Sequence, residues 1–154
     1  MHTVPRQEIL QRIGRFQTQL ASRQLYGAFI LQNADLFYFS GTIQYALLFV
    51  PAHGEPLLMV QKKLKRANLE SSLDNIIPVE NKNAIPHVLE DFGFRRLEQA
   101  GLEMDVLPAN LYLWFQQYLP QCGWRDISGL IRRLRMVKSD YEIEQIKKSA
   151  AVLH

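Results

Sequence analysis

The sequence predicts an α/β domain of three layers, helix–sheet–helix, built on a mixed sheet in which parallel strands accompany a hairpin. Short apolar runs of strand length alternate along the chain with stretches of helical periodicity, the pattern of a sheet covered by helices. Two of those runs, Tyr45–Val50 and Leu57–Val60, flank Pro51-Ala52-His53-Gly54-Glu55-Pro56 and read as a β-hairpin, which makes the sheet mixed. Neither run alternates polar with apolar residues, so both of its faces must be covered.

Each element has its own local justification. Pro5 suits the first turn of a helix, and Ile9, Ile13, Phe16 and Leu20 recur at helical spacing with Arg6, Gln11, Arg15 and Gln19 off the stripe. A helix is therefore expected from about Pro5 to Arg23. Gly27 breaks it, and Ala28–Leu31 is the first strand. Asn33–Gly41 is an aromatic turn of helix or loop stopped by its glycine. After the hairpin, Lys62–Ser71 reads as an exposed helix with Leu64, Ala67 and Leu69 facing inward. Asn75–Val79 is a short strand whose Pro78 argues for an edge position. Ala84–Phe92 is a helix ended by Gly93, and Gly101–Met104 a strand. Pro108 opens a helix carrying Leu111, Trp114, Phe115, Tyr118 and Leu119 before Pro120. Trp124–Ile127 is the last strand, with Ser128 expected to cap Gly129–Arg135.

The end of the chain carries the strongest local signal. Ser139-Asp140-Tyr141-Glu142 fits a capping box, with Ser139 at the N-cap and Glu142 three residues on. Ile143, Ile146, Ala150 and Leu153 then form one apolar face, with no Gly or Pro before His154. A helix that starts on a strong cap and reaches the last residue with its apolar face intact is expected to continue. The division expected is a domain over 1–136, then a linker and the start of a further domain's first helix over 137–154.

Composition excludes several functional classes. At 154 residues and 47% hydrophobic the chain suits one globular core. No apolar run approaches the ~20 residues of a membrane helix, and Met1–Arg6 has no apolar signal region, so a cytoplasmic protein without a membrane is expected. Cys122 is the single cysteine, which rules out an internal disulfide and a cysteine-rich zinc site. The net charge of +3 comes from basic residues scattered among acidic ones. Arg132, Arg133, Arg135 and Lys138 lack an interleaved aromatic platform, so nucleic acid is not expected.

Few residues suggest chemistry. The four histidines, His2, His53, His87 and His154, form no metal-binding pair, and phosphate-loop and nucleophile-elbow patterns are absent. Glu103 stands out because it lies between Leu102 and Met104. A buried carboxylate needs a cationic partner; Arg132, Arg133 and Arg135 are the candidates, and a structural ion pair of Glu103 with Arg135 is expected rather than catalysis.

Four motifs carry a resemblance. Leu130–Ala150 contains Arg135, Val137-Lys138-Ser139, Glu142-Ile143, Ile146 and Ala150, and it closely resembles the segment entering the catalytic domain of the creatinase/prolidase metallopeptidases. Tyr38-Phe39-Ser40-Gly41 resembles that family's Tyr-Leu-Thr-Gly turn, Gly101-Leu102-Glu103 its Gly-Val/Leu-Glu strand, and Asp126-Ile127-Ser128 its Asp-x-Ser. Their order and spacing agree, over almost the whole chain but only over the family's N-terminal domain. Thr42 stands where family members often have Phe, and the Thr42–Tyr45 loop is short.

The resemblance implies a ribonuclease H-like topology with no nuclease site. It also implies a following pita-bread catalytic domain that holds two divalent metal ions through two Asp, one His and two Glu, none of them in this chain. The chain itself would then hold no catalytic residue, metal or cofactor. As the N-terminal domain of an Xaa-Pro aminopeptidase or dipeptidase, it would help form a homodimer. The loop after Gly41, with Thr42, Gln44 and Tyr45, would close over the partner subunit's active site and restrict it to short proline-containing peptides. Its other partner would be its own C-terminal catalytic domain. Two alternatives share the architecture: the N-terminal domain of a creatinase-like amidinohydrolase, and a non-catalytic peptide- or protein-binding module.

Overall fold

The structure, a computed structural model, describes residues 3–153. His2 and His154, and with it the end of the expected Ser139–His154 helix, lie outside the described residues. Helix α1 (Arg6–Ser22) leads to strand β1 (Gly27–Ile30) and helix α2 (Asn33–Ser40). The hairpin follows as β2 (Ala46–Pro51) and β3 (Leu57–Val60). Then come α3 (Leu64–Glu70), the edge strand β4 (Ile76–Pro78), a 3-10 turn at Lys82–Ala84 and α4 (Ile85–Asp91). The chain closes with β5 (Gln99–Leu102), α5 (Ala109–Tyr118), β6 (Gly123–Asp126), α6 (Ser128–Met136) and α7 (Asp140–Val152).

The six strands form one mixed sheet in the order β4-β3-β2-β1-β5-β6. β2 is antiparallel to both neighbours, and the remaining pairs are parallel, so five strands point one way and β2 alone runs back. Pairing is in register through the centre, with Phe29 opposite Phe49 and Phe49 opposite Leu57. Successive side chains point to opposite faces. Ala28, Ile30, Leu48, Val50, Leu58 and Val60 therefore join α1, α2, α3 and α6 in one core. Phe29, Phe49, Leu57 and Met59 join α4 and α5 in the other. This is why neither hairpin strand shows polar alternation: both of its faces are interior.

Close approach fixes one strand position. A Cβ on Gly101 would lie 2.5 Å from Ile127 Cγ2 and 3.3 Å from the Ala28 Cβ, so β5 can sit this close to its cover only with glycine there.

Three local expectations are corrected. Leu69 is 69% exposed and faces solvent, while Ala67 is the residue of α3 that is buried. Ser128 is the first residue of α6, not its cap. Ile127 stands at the N-cap with no side-chain cap, and Asp126 Oδ1 accepts from the Ser128 N–H at 3.0 Å and from the Ser128 hydroxyl at 2.6 Å. Glu103 lies just beyond the end of β5, not inside it.

Candidate functional site

Five strands end at the same edge of the sheet, and β2 begins there. In open α/β sheets this carboxyl edge is where loops gather and ligands bind. Here it collects the loop 41–45 before β2, the turn from β1 into α2, the 3-10 turn after β4, and the start of α5.

The loop 41–45 is pinned from within. Gly41 ends α2 in the left-handed region at φ 83°, with its N–H on the Phe37 carbonyl at 2.8 Å, and a Cβ there would press to 3.2 Å on the Glu70 carbonyl oxygen. The Thr42 hydroxyl and the Gln44 amide both donate to Glu70 Oε1, at 3.2 and 2.8 Å, and Arg66 Nε faces the same oxygen at 3.4 Å. Thr42 and Gln44 are buried. Of the three expected gate residues, only Tyr45 projects, at 65% exposure, and its companion is Ile43 at 53%. Thr42 and Gln44 anchor the loop and do not face outward; a carboxylate 28 and 26 residues further on turns them inward.

Beside this loop a groove of about 470 Å³ opens along the edge, walled by Leu31, Tyr45, Met59, Lys82, Leu111 and Trp114. Trp114 is fixed by its indole N–H, which donates to Asn83 Oδ1 at 3.0 Å. Lys82 Nζ lies 5.9 Å from the Trp114 ring centroid, and Lys62 Nζ 5.6 Å from that of Tyr45.

Glu103 and Arg135, expected as an ion pair, each bind something else. Glu103 is 1% exposed and its carboxylate accepts from the backbone N–H groups of Leu31 and Gln32, at 3.0 and 3.2 Å, at the entry to α2. Arg135 instead reaches Asp35 Oδ1 in the first turn of α2, at 2.7 Å, and Arg132 pairs with Asp105. Burial pushes the Glu103 carboxyl up to about 8; Asp35 and Asp105 add to the rise, and the two N–H groups oppose it. Asp126 goes the other way. Burial acts to raise it, but the Ser128 hydroxyl and N–H, the Met104 N–H and Arg132 outweigh burial and hold it below the usual range.

Ser139 and Glu142 form a capping box at the start of α7. The Ser139 hydroxyl accepts from the Glu142 N–H at 3.1 Å, and the reciprocal contact completes the box. The sequence did not reveal that this cap is tied to α1. Ser139 Oγ donates to Glu8 Oε1 at 2.6 Å. Glu8 also accepts from Arg12 Nε at 3.1 Å, and Arg12 Nη2 lies 3.8 Å from Glu142. Arg12, itself buried, donates to the Tyr38 carbonyl at 2.9 Å, and its guanidinium stands 4.4 Å from the Tyr38 ring centroid. The i,i+4 spacing of Glu8 and Arg12 was the available signal; their burial was not visible in it.

His53 lies exposed in the hairpin turn and His87 exposed on α4. Among the described residues no three His, Cys, Asp or Glu side chains are placed to hold a metal ion. No described helix is long and apolar enough to cross a membrane.

Residues 12–137 match the Creatinase/Prolidase N-terminal domain family, and the chain belongs to that family. Solved structures share its fold. A proline dipeptidase from Streptococcus pneumoniae superposes with a TM-score of 0.71 at 22% identity, over 82% of this chain and 98% of that one. An Xaa-Pro dipeptidase from Bacillus anthracis gives 0.76 at 16% identity, over 88% of this chain and 38% of that one. The prolidase from Pyrococcus furiosus gives 0.70 at 23%, over 88% and 40%. The chain thus spans about two fifths of the length of the latter two. No curated protein matches it.

Proposed function

We propose that this chain is the non-catalytic N-terminal domain of an Xaa-Pro aminopeptidase or dipeptidase. In that protein it contributes to dimerisation and helps close the active site of the partner subunit. The observation that carries this reading is the loop 41–45, whose two buried polar residues brace it on Glu70 while Ile43 and Tyr45 stand out from the carboxyl edge. A rigid loop presenting two large side chains is suited to shaping another subunit's site, because little ordering entropy is lost when it docks. Membership of the family and the likeness to longer dipeptidases support a catalytic domain as neighbour. The two divalent metals and the hydrolysis would belong to that domain. The apolar face of α7, with Ile143 and Ile146 exposed, supports packing on it or on a second copy.

The test uses the full reading frame, loaded with manganese or cobalt and assayed on Xaa-Pro dipeptides. Ile43→Ser with Tyr45→Ala should leave the oligomer intact by light scattering and lower kcat/KM by about tenfold, or about 1.4 kcal/mol. Unchanged kinetics would remove the gating role. An inactive full-length protein would favour the non-catalytic binding module.

A further inference from the structure

We propose that the groove at the carboxyl edge is a binding site in its own right, for a small apolar or aromatic carboxylate presented as a free acid or as the last residue of a peptide. The inference is independent of any peptidase activity. A volume of about 470 Å³ lies within the ~300–1,000 Å³ of small-ligand sites, which are mostly apolar with a few convergent polar groups. The walls fit that description: Leu31, Met59, Leu111 and Trp114 supply the apolar surface, and Asn33 and Asn110 supply amides.

Charge selects the ligand's sign. Among the described residues Lys82 is the only charged one lining the groove, and Lys62 Nζ stands 5.6 Å from the ring centroid of Tyr45, one of the groove's walls. Among the described residues neither lysine forms an ion pair. Glu70, the carboxylate that fixes the adjoining loop, is turned to Gln44 and Arg66. An anion in the groove would meet the Lys82 ammonium, held 5.9 Å from the Trp114 ring centroid, and its apolar body would lie against Trp114. An ammonium would meet like charge.

The two tryptophans provide the readout, since Trp114 lines the groove and Trp124, on β6, does not. In a ¹H–¹⁵N spectrum of the 154-residue protein, 4-phenylbutyrate should shift the Trp114 indole signal saturably and move that of Trp124 less. 4-Phenylbutylamine should bind at least about fivefold more weakly, and Lys82→Glu should weaken the acid by a similar factor, the size of one partly exposed ion pair. Lys82 is half-buried in a 3-10 turn, and Tyr45→Ala provides a second variant that leaves both cores untouched. Acetyl-Ala-Ala-Phe with free and with amidated C-terminus separates a peptide terminus from a free acid. Equal response to acid and amine, equal shifts of both indoles, or no saturation at about 10 mM, weaker than a specific site, would each overturn the proposal.

Discussion

Replacing Glu103 by glutamine should make the protein more resistant to alkali. Glu103 is buried, and its carboxyl titrates near 8 in the folded chain against an ordinary value of 4.5. A raised carboxyl pKa means that the folded state holds its proton more tightly than the unfolded one. The associated stability is complete below about pH 4.5 and is lost as pH rises through about 8. At about 1.4 kcal/mol per pH unit, that interval corresponds to a loss on the order of 5 kcal/mol, a large part of a small domain's stability. Glutamine cannot ionise, and its carbonyl oxygen can still accept from the Leu31 or Gln32 N–H. Urea unfolding of both proteins from pH 5 to 9 should therefore show the variant gaining on the wild type across the range and overtaking it by pH 9. A stability difference constant over that interval would refute the reasoning and show that Glu103 is a carboxylate throughout. Glu103→Ala differs, because no arginine is stranded: the cost is that of two unsatisfied N–H groups, about 1–3 kcal/mol each.

Gly101→Ala drives a methyl into Ile127 and should cost about 1–3 kcal/mol by thermal unfolding; a neutral change would mean that α6 can retreat from β5. Arg12→Leu leaves Glu8 buried against Ser139 alone and should cost about 3–5 kcal/mol in urea, whereas a loss below about 0.5 kcal/mol would show the pair to be solvated. Burial of the apolar face of α7 should drive self-association detectable by light scattering. Ile143→Glu with Ile146→Glu should weaken it, and a strictly monomeric wild type would remove that expectation. Titration of the 154-residue protein with zinc, manganese or cobalt should show no stoichiometric micromolar site, and such a site would overturn the assignment of metal binding to another domain.

How much of this was legible in the sequence depends on the range of the interaction. The hairpin, the edge position of β4 and the capping box are set by neighbouring residues, and each appears where proline, glycine or a Ser-x-x-Glu spacing announces it. Glu103 was visible as a carboxylate among apolar residues. Its partners are backbone N–H groups 71 and 72 positions away, and main-chain donors leave no side-chain signature. Thr42 and Gln44 look like solvated loop residues until α3 brings Glu70 beneath them. Ser128 is a natural cap by composition, but β6 ends at Asp126, so the aspartate has the acceptor geometry.

The clamp of Ser139 and Glu142 on Glu8 and Arg12 has a mechanical meaning. The 13 residues of α7, at about 1.5 Å each, make a lever about 20 Å long whose fulcrum is four side chains. A pivot of about 10° at the cap moves the far tip by about 3.5 Å, more than the length of a hydrogen bond. The fulcrum shares Arg12 with the Tyr38 carbonyl, so the base of the lever and the end of α2 rest on the same side chain. The direction of α7 is thus set within the domain at a buried guanidinium.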